Sequence, residues 1–313
     1  MQMRRVFVPV ICAAALLAAG ILQAQAPAPL LVRPGLLPPT KSVAVFGQKI
    51  VYYEAGAGPT LVLVHGFGSQ AFFDWGQVIL PLAKHHHVIA LDQIGFGQSD
   101  KPFVDYRVQT FVDFLGEFLR TLKVDHFDLA GESLGGWVVA SYTIQALGPG
   151  NTGKYALPKP DRLILEDAAG HSHAAQKTAG QTAPPIPIAG SLEDAAGVAV
   201  VFFDKSRVTQ EFIRQNFALK LKANDGMTER LYRANPKLAT EVVDDKLAGI
   251  TIPTLVVWGA NDALVPLADG RDYAARIPNA KLVIVPECGH AASIEKPTEF
   301  LAAVESFLKT ATR

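Results

Sequence analysis

The chain has 313 residues, of which 49% are hydrophobic, and its 29 basic and 29 acidic side chains leave no net formal charge when His is neutral. This length and hydrophobicity allow one large domain, or one domain with an insertion. Because zero net charge provides no basic field for a phosphate backbone, we expect no nucleic-acid partner. The composition gives no indication of the oligomeric state.

The N-terminal residues have the pattern of a secretory signal. Two arginines precede an apolar run over 6–22, and an Ala-Gln-Ala sequence follows at 24–26. This order is typical of a signal peptide, which we predict over 1–26. We therefore expect an exported protein, periplasmic or secreted. A retained membrane anchor is the alternative, because the run approaches the ~18 residues of a spanning helix. Without that anchor no stable membrane contact is expected.

Cysteine and histidine usage predicts neither a disulfide nor a metal or other cofactor. Removing the leader removes Cys12 and leaves Cys288 alone, so the mature chain has no pair for a disulfide and no Cys cluster. Three consecutive histidines at 85–87 have no carboxylate or Cys nearby to complete a ligand set. We interpret them as a solvated turn.

The first part of the mature chain is predicted to be a linker. Residues 27–40 contain five prolines, which favour an extended segment. Folding is predicted to begin near Lys41, with an antiparallel hairpin whose strands, 43–46 and 49–54, flank Gly47-Gln48.

Short apolar runs then alternate with helical patterns. The predicted strands are 61–64, 88–91, 127–130 and 163–165, and the predicted helices are 72–83, 106–122 and 134–147. Such alternation indicates a parallel sheet with helices on both faces. It stops over 171–250, where a Gly/Pro-rich piece precedes amphipathic segments near 192–203, 207–222 and 227–248. It resumes with strands at 254–258 and 282–285 and helices at 267–277 and 297–309. The sequence thus predicts an α/β core over 41–170 and 251–313, interrupted by a helical cap over 171–250.

One serine lies on a predicted strand-to-helix turn, within the sequence G-E-S-L-G at 131–135. Such a turn holds a nucleophilic serine in a strained conformation with its Oγ clear of the sheet, and small flanking residues let the backbones approach. The two motif glycines and Gly136 meet this requirement. An ordinary Gly-rich connection is the alternative reading of the motif alone. Its context makes Ser133 the predicted nucleophile.

Two backbone N–H groups are predicted to stabilise an oxyanion. Leu134 begins the helix after the serine, where free N–H groups carry partial positive charge. The loop after the first long parallel strand reads H-G-F-G at 65–68, so Phe67 N–H is the second predicted donor. A tight structural turn is the alternative for this loop. We interpret His65 as a structural residue of the loop.

A serine nucleophile needs a base, usually His, whose orientation is fixed by a carboxylate. His290 follows the last predicted strand and Asp262 follows the strand at 254–258, so both belong to loops at the same sheet edge as Ser133. We predict His290 as the base and Asp262 as the acid. The pair Glu166-Asp167, after the strand that precedes the cap, is the rival source of the carboxylate. The chain order Ser, Asp, His is that of the α/β-hydrolase triad.

These residues, with the segments 61–68 and 92–100, resemble the cap-bearing α/β-hydrolase superfamily over roughly 43–308. Within it, the chain is similar to meta-cleavage-product C–C hydrolases, haloalkane dehalogenases, epoxide hydrolases and small-molecule carboxylesterases. Dehalogenases and most epoxide hydrolases carry Asp where Ser133 stands, which disfavours their chemistry here. The resemblance implies the α/β-hydrolase fold and a lid formed by 171–250, whose apolar helices suggest a small or hydrophobic substrate.

The sequence therefore predicts a serine hydrolase that cleaves an ester-type small molecule through an acyl-enzyme. A C–C hydrolase of the meta-cleavage-product type is the alternative with the same triad. A lyase or perhydrolase with this triad, and a non-catalytic ligand-binding protein on the same fold, are further alternatives, because fold alone does not establish function.

Overall fold

The computed structural model of the chain describes residues 29–31, 35–172 and 188–310. The predicted signal peptide over 1–26 lies outside these ranges. Within them, no helix is both long enough and apolar enough to cross a membrane.

The described part of the chain forms an eight-stranded sheet. Its strands are β1 (Lys41–Val45), β2 (Gln48–Ala55), β3 (Thr60–Val64), β4 (His87–Leu91), β5 (Phe127–Glu132), β6 (Arg162–Glu166), β7 (Thr254–Gly259) and β8 (Ala280–Val285). They lie in the order β1-β2-β4-β3-β5-β6-β7-β8. β2 pairs antiparallel with β1 and β4, and the other pairs are parallel. The predicted mostly parallel sheet is confirmed.

Nine α-helices are present within the described ranges. They are α1 (Ala71–Leu82), α2 (Val108–Leu122), α3 (Leu134–Leu147), α4 (Leu192–Ala196), α5 (Gln210–Ala223), α6 (Gly226–Arg233), α7 (Leu267–Arg276), α8 (Ala292–Glu295) and α9 (Pro297–Thr310).

Alternate residues of the central strands supply two apolar cores, one on each face of the sheet. In β3, Leu61 and Leu63 pack in the core that contains α1 and α9. Val62 and Val64 pack in the core that contains α2, α3 and α7. Because both faces are covered, the strand is apolar at four successive positions rather than at every second one.

The first hairpin turns one residue earlier than the sequence predicted. Phe46 and Gly47, rather than Gly47 and Gln48, have positive φ angles of 49° and 77°. Two-residue turns with positive φ at both central positions match the twist of the flanking strands. The Phe46 side chain is exposed.

Residues 188–253, the longer described part of the chain between β6 and β7, are mostly helical, but the helices are shorter than predicted. The rest of the predicted cap, 173–187, lies outside the described residues. The amphipathic pattern over 227–248 contains α6 followed by two separate 3-10 turns, Pro236–Thr240 and Asp244–Gly249. Pro236 cannot donate a helical hydrogen bond and disfavours helical geometry at the residue before it. The pattern over 192–203 likewise contains α4 followed by the 3-10 turn Gly197–Val201.

Part of the predicted linker is buried. Leu30 and Leu31 are 3% and 6% exposed, and they belong to one apolar cluster with Phe73 of α1 and Phe212 of α5. The Gln77 side chain also donates a 2.6 Å hydrogen bond to the Pro29 carbonyl. Proline-rich composition predicted an extended path but gave no signal for these contacts.

A buried ion pair joins the amino-terminal ends of β5 and β6. Arg162 donates from Nε and Nη2 to the two oxygens of Asp128, each at 2.7 Å. Its Nη1 donates to the Leu308 carbonyl of α9 at 2.6 Å. Two nitrogens of the guanidinium group therefore join β6 to β5, and the third holds α9 at the sheet edge opposite the strand ends that carry the predicted site residues.

We expect Arg162→Leu to lower the free energy of unfolding by about 3–5 kcal/mol, because it leaves the Asp128 carboxylate buried without its partner. Denaturant unfolding measures the change. Lys309→Ala, which removes the cation of the exposed Lys309–Glu305 pair, is the control and should have little effect. Equal stability of the two variants would contradict a stabilising role for the buried Arg162–Asp128 pair.

Candidate active site

The carboxyl ends of the parallel strands converge on one cavity of about 340 Å³. Loops after β3, β5 and β8 each contribute lining residues, among them Phe67, Ser133 and His290. α4, α5 and α6 cover the same space from the cap. The cavity therefore lies between the sheet edge and the helical segment that follows β6.

Ser133 occupies a strained turn between β5 and α3. Its φ and ψ angles are 51° and −115°, a combination that few residues other than glycine adopt. Backbone bonds fix the turn: Ser133 N–H donates to the Glu166 carbonyl at 3.0 Å, and Ala169 N–H donates to the Ser133 carbonyl at 2.9 Å. The backbone at and just after the carboxyl end of β6, the neighbouring strand, therefore holds the serine in place.

Glycine is required on both sides of this serine. A Cβ on Gly131 would lie 2.3 Å from the Gly135 carbonyl oxygen, and one on Gly135 would lie 2.1 Å from the Val64 carbonyl oxygen. Both distances are far below van der Waals contact. The spacing of the motif glycines is therefore explained by the close approach of β5, α3 and the end of β3.

The structure brings His290 and Asp262 into direct contact. Nδ1 of His290 lies 2.7 Å from Oδ2 of Asp262, and the carboxylate side chain is fully buried. The other oxygen of Asp262 accepts the N–H groups of Leu264 and Val265 at 2.7 and 3.0 Å. These bonds orient the carboxylate, which in turn orients the imidazole through Nδ1.

The rival carboxylates point elsewhere. Glu166 Oε1 accepts the Ser293 N–H at 2.6 Å, and Asp167 Oδ1 accepts the Gly259 N–H at 2.8 Å. Burial raises the pKa of Glu166 to about 8. It also raises the pKa of Asp167, which the nearby Asp262 carboxylate raises further. Of the predicted acids, it is Asp262 that contacts His290.

The two predicted oxyanion donors belong to Leu134, the residue after the serine, and to Phe67, which lines the same cavity as Ser133. Leu134 is the first residue of α3, so its N–H has no acceptor within the helix. Phe67 lies in the loop after β3, and no hydrogen bond among the described residues uses its N–H. Gly66 N–H, by contrast, donates to Asp74 Oδ2 at 2.7 Å. Both N–H groups are therefore available to a developing negative charge.

Two buried carboxyl groups beside the serine were missed at the sequence level. Glu132 lines the cavity, and its Oε1 lies 3.4 Å from Nε2 of His290. Burial and the Asp74, Glu166 and Asp167 carboxylates raise the pKa of Glu132 well above its usual value. Glu132 belongs to the G-E-S-L-G motif, and its place next to Ser133 was the one feature of the sequence that could have pointed to it. Asp74 of α1 carries no local signal.

Two other histidines and the cysteine considered from the sequence lie in buried or partly buried positions. His65 is buried, and its Nε2 accepts the Gln93 N–H at 2.9 Å. His87 begins β4 rather than a solvated turn, with Nε2 2.6 Å from Glu54 Oε1. Cys288 is buried, which raises the pKa of its thiol. Within the described ranges, no cluster of His, Cys, Asp and Glu side chains is arranged to hold a metal ion.

The cavity wall has an apolar part and a charged part. The apolar part includes Phe73, Val198, Val201, Leu264, Ala291 and Ile294. In the charged part, Lys220 Nζ lies 3.0 Å from Asp225 Oδ1 and pairs with Glu229 Oε1 at 2.5 Å. Arg233 Nη2 lies 3.7 Å from Glu229 Oε2. Each of these two cations therefore faces at least one carboxylate.

Known proteins resemble the chain over most of its length. A 2-hydroxy-6-oxo-6-(2'-aminophenyl)hexa-2,4-dienoic acid hydrolase of Metapseudomonas resinovorans is 28% identical over 271 residues, covering 84% of this chain and 88% of that protein. A 2-hydroxymuconate semialdehyde hydrolase of Pseudomonas sp. (strain CF600) is 27% identical over 291 residues, covering 87% and 94%.

A solved esterase from Rhodococcus sp. ECU1013 superposes with a TM-score of 0.70 at 23% identity, over 87% of this chain and 99% of that one. At this identity the likeness shows the fold alone. The alpha/beta hydrolase family matches residues 61–304, well over half of the chain, and the protein therefore belongs to the alpha/beta hydrolase family.

Proposed function

We propose that this protein is a serine hydrolase that cleaves uncharged esters of small or hydrophobic acids. The observation that carries the proposal is the 2.7 Å contact between His290 Nδ1 and Asp262 Oδ2 beside a cavity that Ser133 also lines. An imidazole oriented by a buried carboxylate is the base that a serine nucleophile requires.

The proposed reaction has two halves. Ser133 Oγ attacks the ester carbonyl while its proton passes to Nε2 of His290, and the Asp262 carboxylate stabilises the imidazolium through Nδ1. The N–H groups of Phe67 and Leu134 bind the oxyanion of the tetrahedral intermediate. The alcohol leaves with the proton from Nε2, and an acyl group remains on Ser133. Water, deprotonated by His290, then releases the acid and restores the serine.

The cavity wall supports an uncharged substrate. Its apolar part, which includes Val198 and Ile294, offers a surface for an acyl chain. The cations of the wall, Lys220 and Arg233, already face carboxylates. A substrate carboxylate placed there would meet Glu229 as well as the two cations, so the wall provides little net attraction for an anion.

We expect a fluorophosphonate probe to label the wild-type protein and to leave Ser133→Ala unlabelled, because the probe reacts with an activated serine. Gel fluorescence measures the labelling. Asp262→Asn should label more slowly by about a hundredfold or more, since the imidazole loses its orienting carboxylate. Ser141→Ala, which alters a buried serine on α3, is the matched control. Labelling of Ser133→Ala at the wild-type level would refute the proposed nucleophile.

A C–C hydrolase is the second candidate, because the two relatives described above are named as hydrolases of a 2-hydroxy-6-oxohexa-2,4-dienoic acid and of 2-hydroxymuconate semialdehyde. Those names describe dienoic acids or muconate derivatives. A substrate of that class would bring a carboxylate into the cavity, where the paired cations favour it less than a neutral ester.

A paired assay separates the two candidates. We expect kcat/KM for p-nitrophenyl butyrate to exceed that for a 2-hydroxy-6-oxohexa-2,4-dienoate on the order of a hundredfold. Absorbance follows both reactions, and Ser133→Ala provides the background rate for each. The opposite ratio would favour the C–C hydrolase and overturn the ester assignment.

A further inference from the structure

On its core side, the loop that presents the Phe67 N–H is held by one carboxylate. We call this loop, residues 66–69, the oxyanion loop. Asp74 of α1 accepts the Gly66 N–H with Oδ2 at 2.7 Å and the Ser69 hydroxyl with Oδ1 at 2.5 Å. Both ends of the loop are thereby fixed to α1. Asp74 does not bind the two residues between them, Phe67 and Gly68.

The cap holds the middle of the same loop. Lys220 of α5 donates from Nζ to the Gly68 carbonyl at 2.7 Å. The same ammonium group donates to Asp225 Oδ1 at 3.0 Å and to Glu229 Oε1 at 2.5 Å. Lys220 is 17% exposed, and the two carboxylates are almost fully buried. With three acceptors around three N–H bonds, the ammonium group has a defined position.

The oxyanion loop fits closely against α6. Gly68 has a φ of +62°, and a Cβ there would lie 2.9 Å from Glu229 Oε1. The ring of Phe67 lies 5.1 Å from that of Tyr232, centroid to centroid. The guanidinium carbon of Arg233 lies 5.0 Å from the centre of the Phe67 ring. Helices α5 and α6 of the cap therefore contact both central residues of the loop.

We propose that Lys220 is a positioning residue for the reaction: by fixing the Gly68 carbonyl it sets the place of the Phe67 N–H, so that a docked cap is required for full oxyanion stabilisation. The inference rests on the proposed function, since it takes Phe67 as an oxyanion donor. Loss of one such donor costs on the order of a hundredfold in kcat, and misplacement of a group by about 1 Å has effects of a similar size.

The test compares three proteins with the wild type, using p-nitrophenyl butyrate hydrolysis and thermal unfolding. Lys220→Met removes the donor to Gly68. The triple variant Lys220→Met, Asp225→Asn, Glu229→Gln also removes the two carboxylates that the first change leaves without their cation. Lys222→Met removes an exposed lysine of the same helix and serves as the matched control.

We expect kcat to fall by about tenfold or more in Lys220→Met and in the triple variant, with KM within about threefold of the wild type, because the lost contact acts on the transition state. The triple variant should recover thermal stability relative to Lys220→Met but not kcat. Lys222→Met should match the wild type. Labelling of Ser133 by fluorophosphonate should slow in parallel with kcat.

Wild-type kcat in a stable triple variant would overturn the proposal, as would a change confined to KM. If Lys220→Met does not fold, the triple variant still decides the question, because it leaves neither Asp225 nor Glu229 as a buried carboxylate without its lysine. Failure of the proposed function is a different result: the wild type would show no turnover that depends on Ser133.

Discussion

The strained backbone at Ser133 is the constraint on which the rest of the site depends. A non-glycine residue in such a conformation costs about 1–3 kcal/mol, and it persists only where the surroundings hold it. Here backbone groups at the carboxyl end of β6 form hydrogen bonds with the serine N–H and carbonyl. Glycines at 131 and 135 allow the adjoining backbone segments to approach closely. The turn ends β5 and begins α3 within one residue, so Ser133 reaches the cavity while Leu134 presents its N–H beside it.

The position of the other groups follows from strand direction. Parallel strands end at one edge, so a base after β8 and an acid after β7 meet near a serine after β5. For this reason much of the candidate site was predictable from sequence: Ser133, Asp262 and His290 were recognisable by residue type, local glycines and chain order. The contact between His290 and Asp262 is the geometric result of that order. The strands were predictable because short, mainly apolar runs of three to five residues are typical of strands covered on both faces.

What the sequence did not reveal depends on contacts between distant segments. Lys220 and Gly68 are 152 residues apart, and a lysine on an amphipathic helix normally indicates a solvated face. Asp74 looked like an ordinary acidic residue in the first turn of a helix, yet it binds both ends of the oxyanion loop. In the cap, apolar periodicity predicted one helical segment over 227–248, but the helix ends at Arg233, shortly before Pro236. The burial of Leu30 and Leu31 likewise needs α1 and α5 to be in place.

The proposed function requires Ser133 to form a covalent acyl intermediate. The most direct measurement is mass spectrometry of peptides from the protein mixed with p-nitrophenyl butyrate and quenched in acid before steady state. We expect a butyryl group on the peptide that contains Ser133 and none on the corresponding peptide of Ser133→Ala. A butyryl group on another residue such as Cys288, with Ser133 unmodified during turnover, would contradict it.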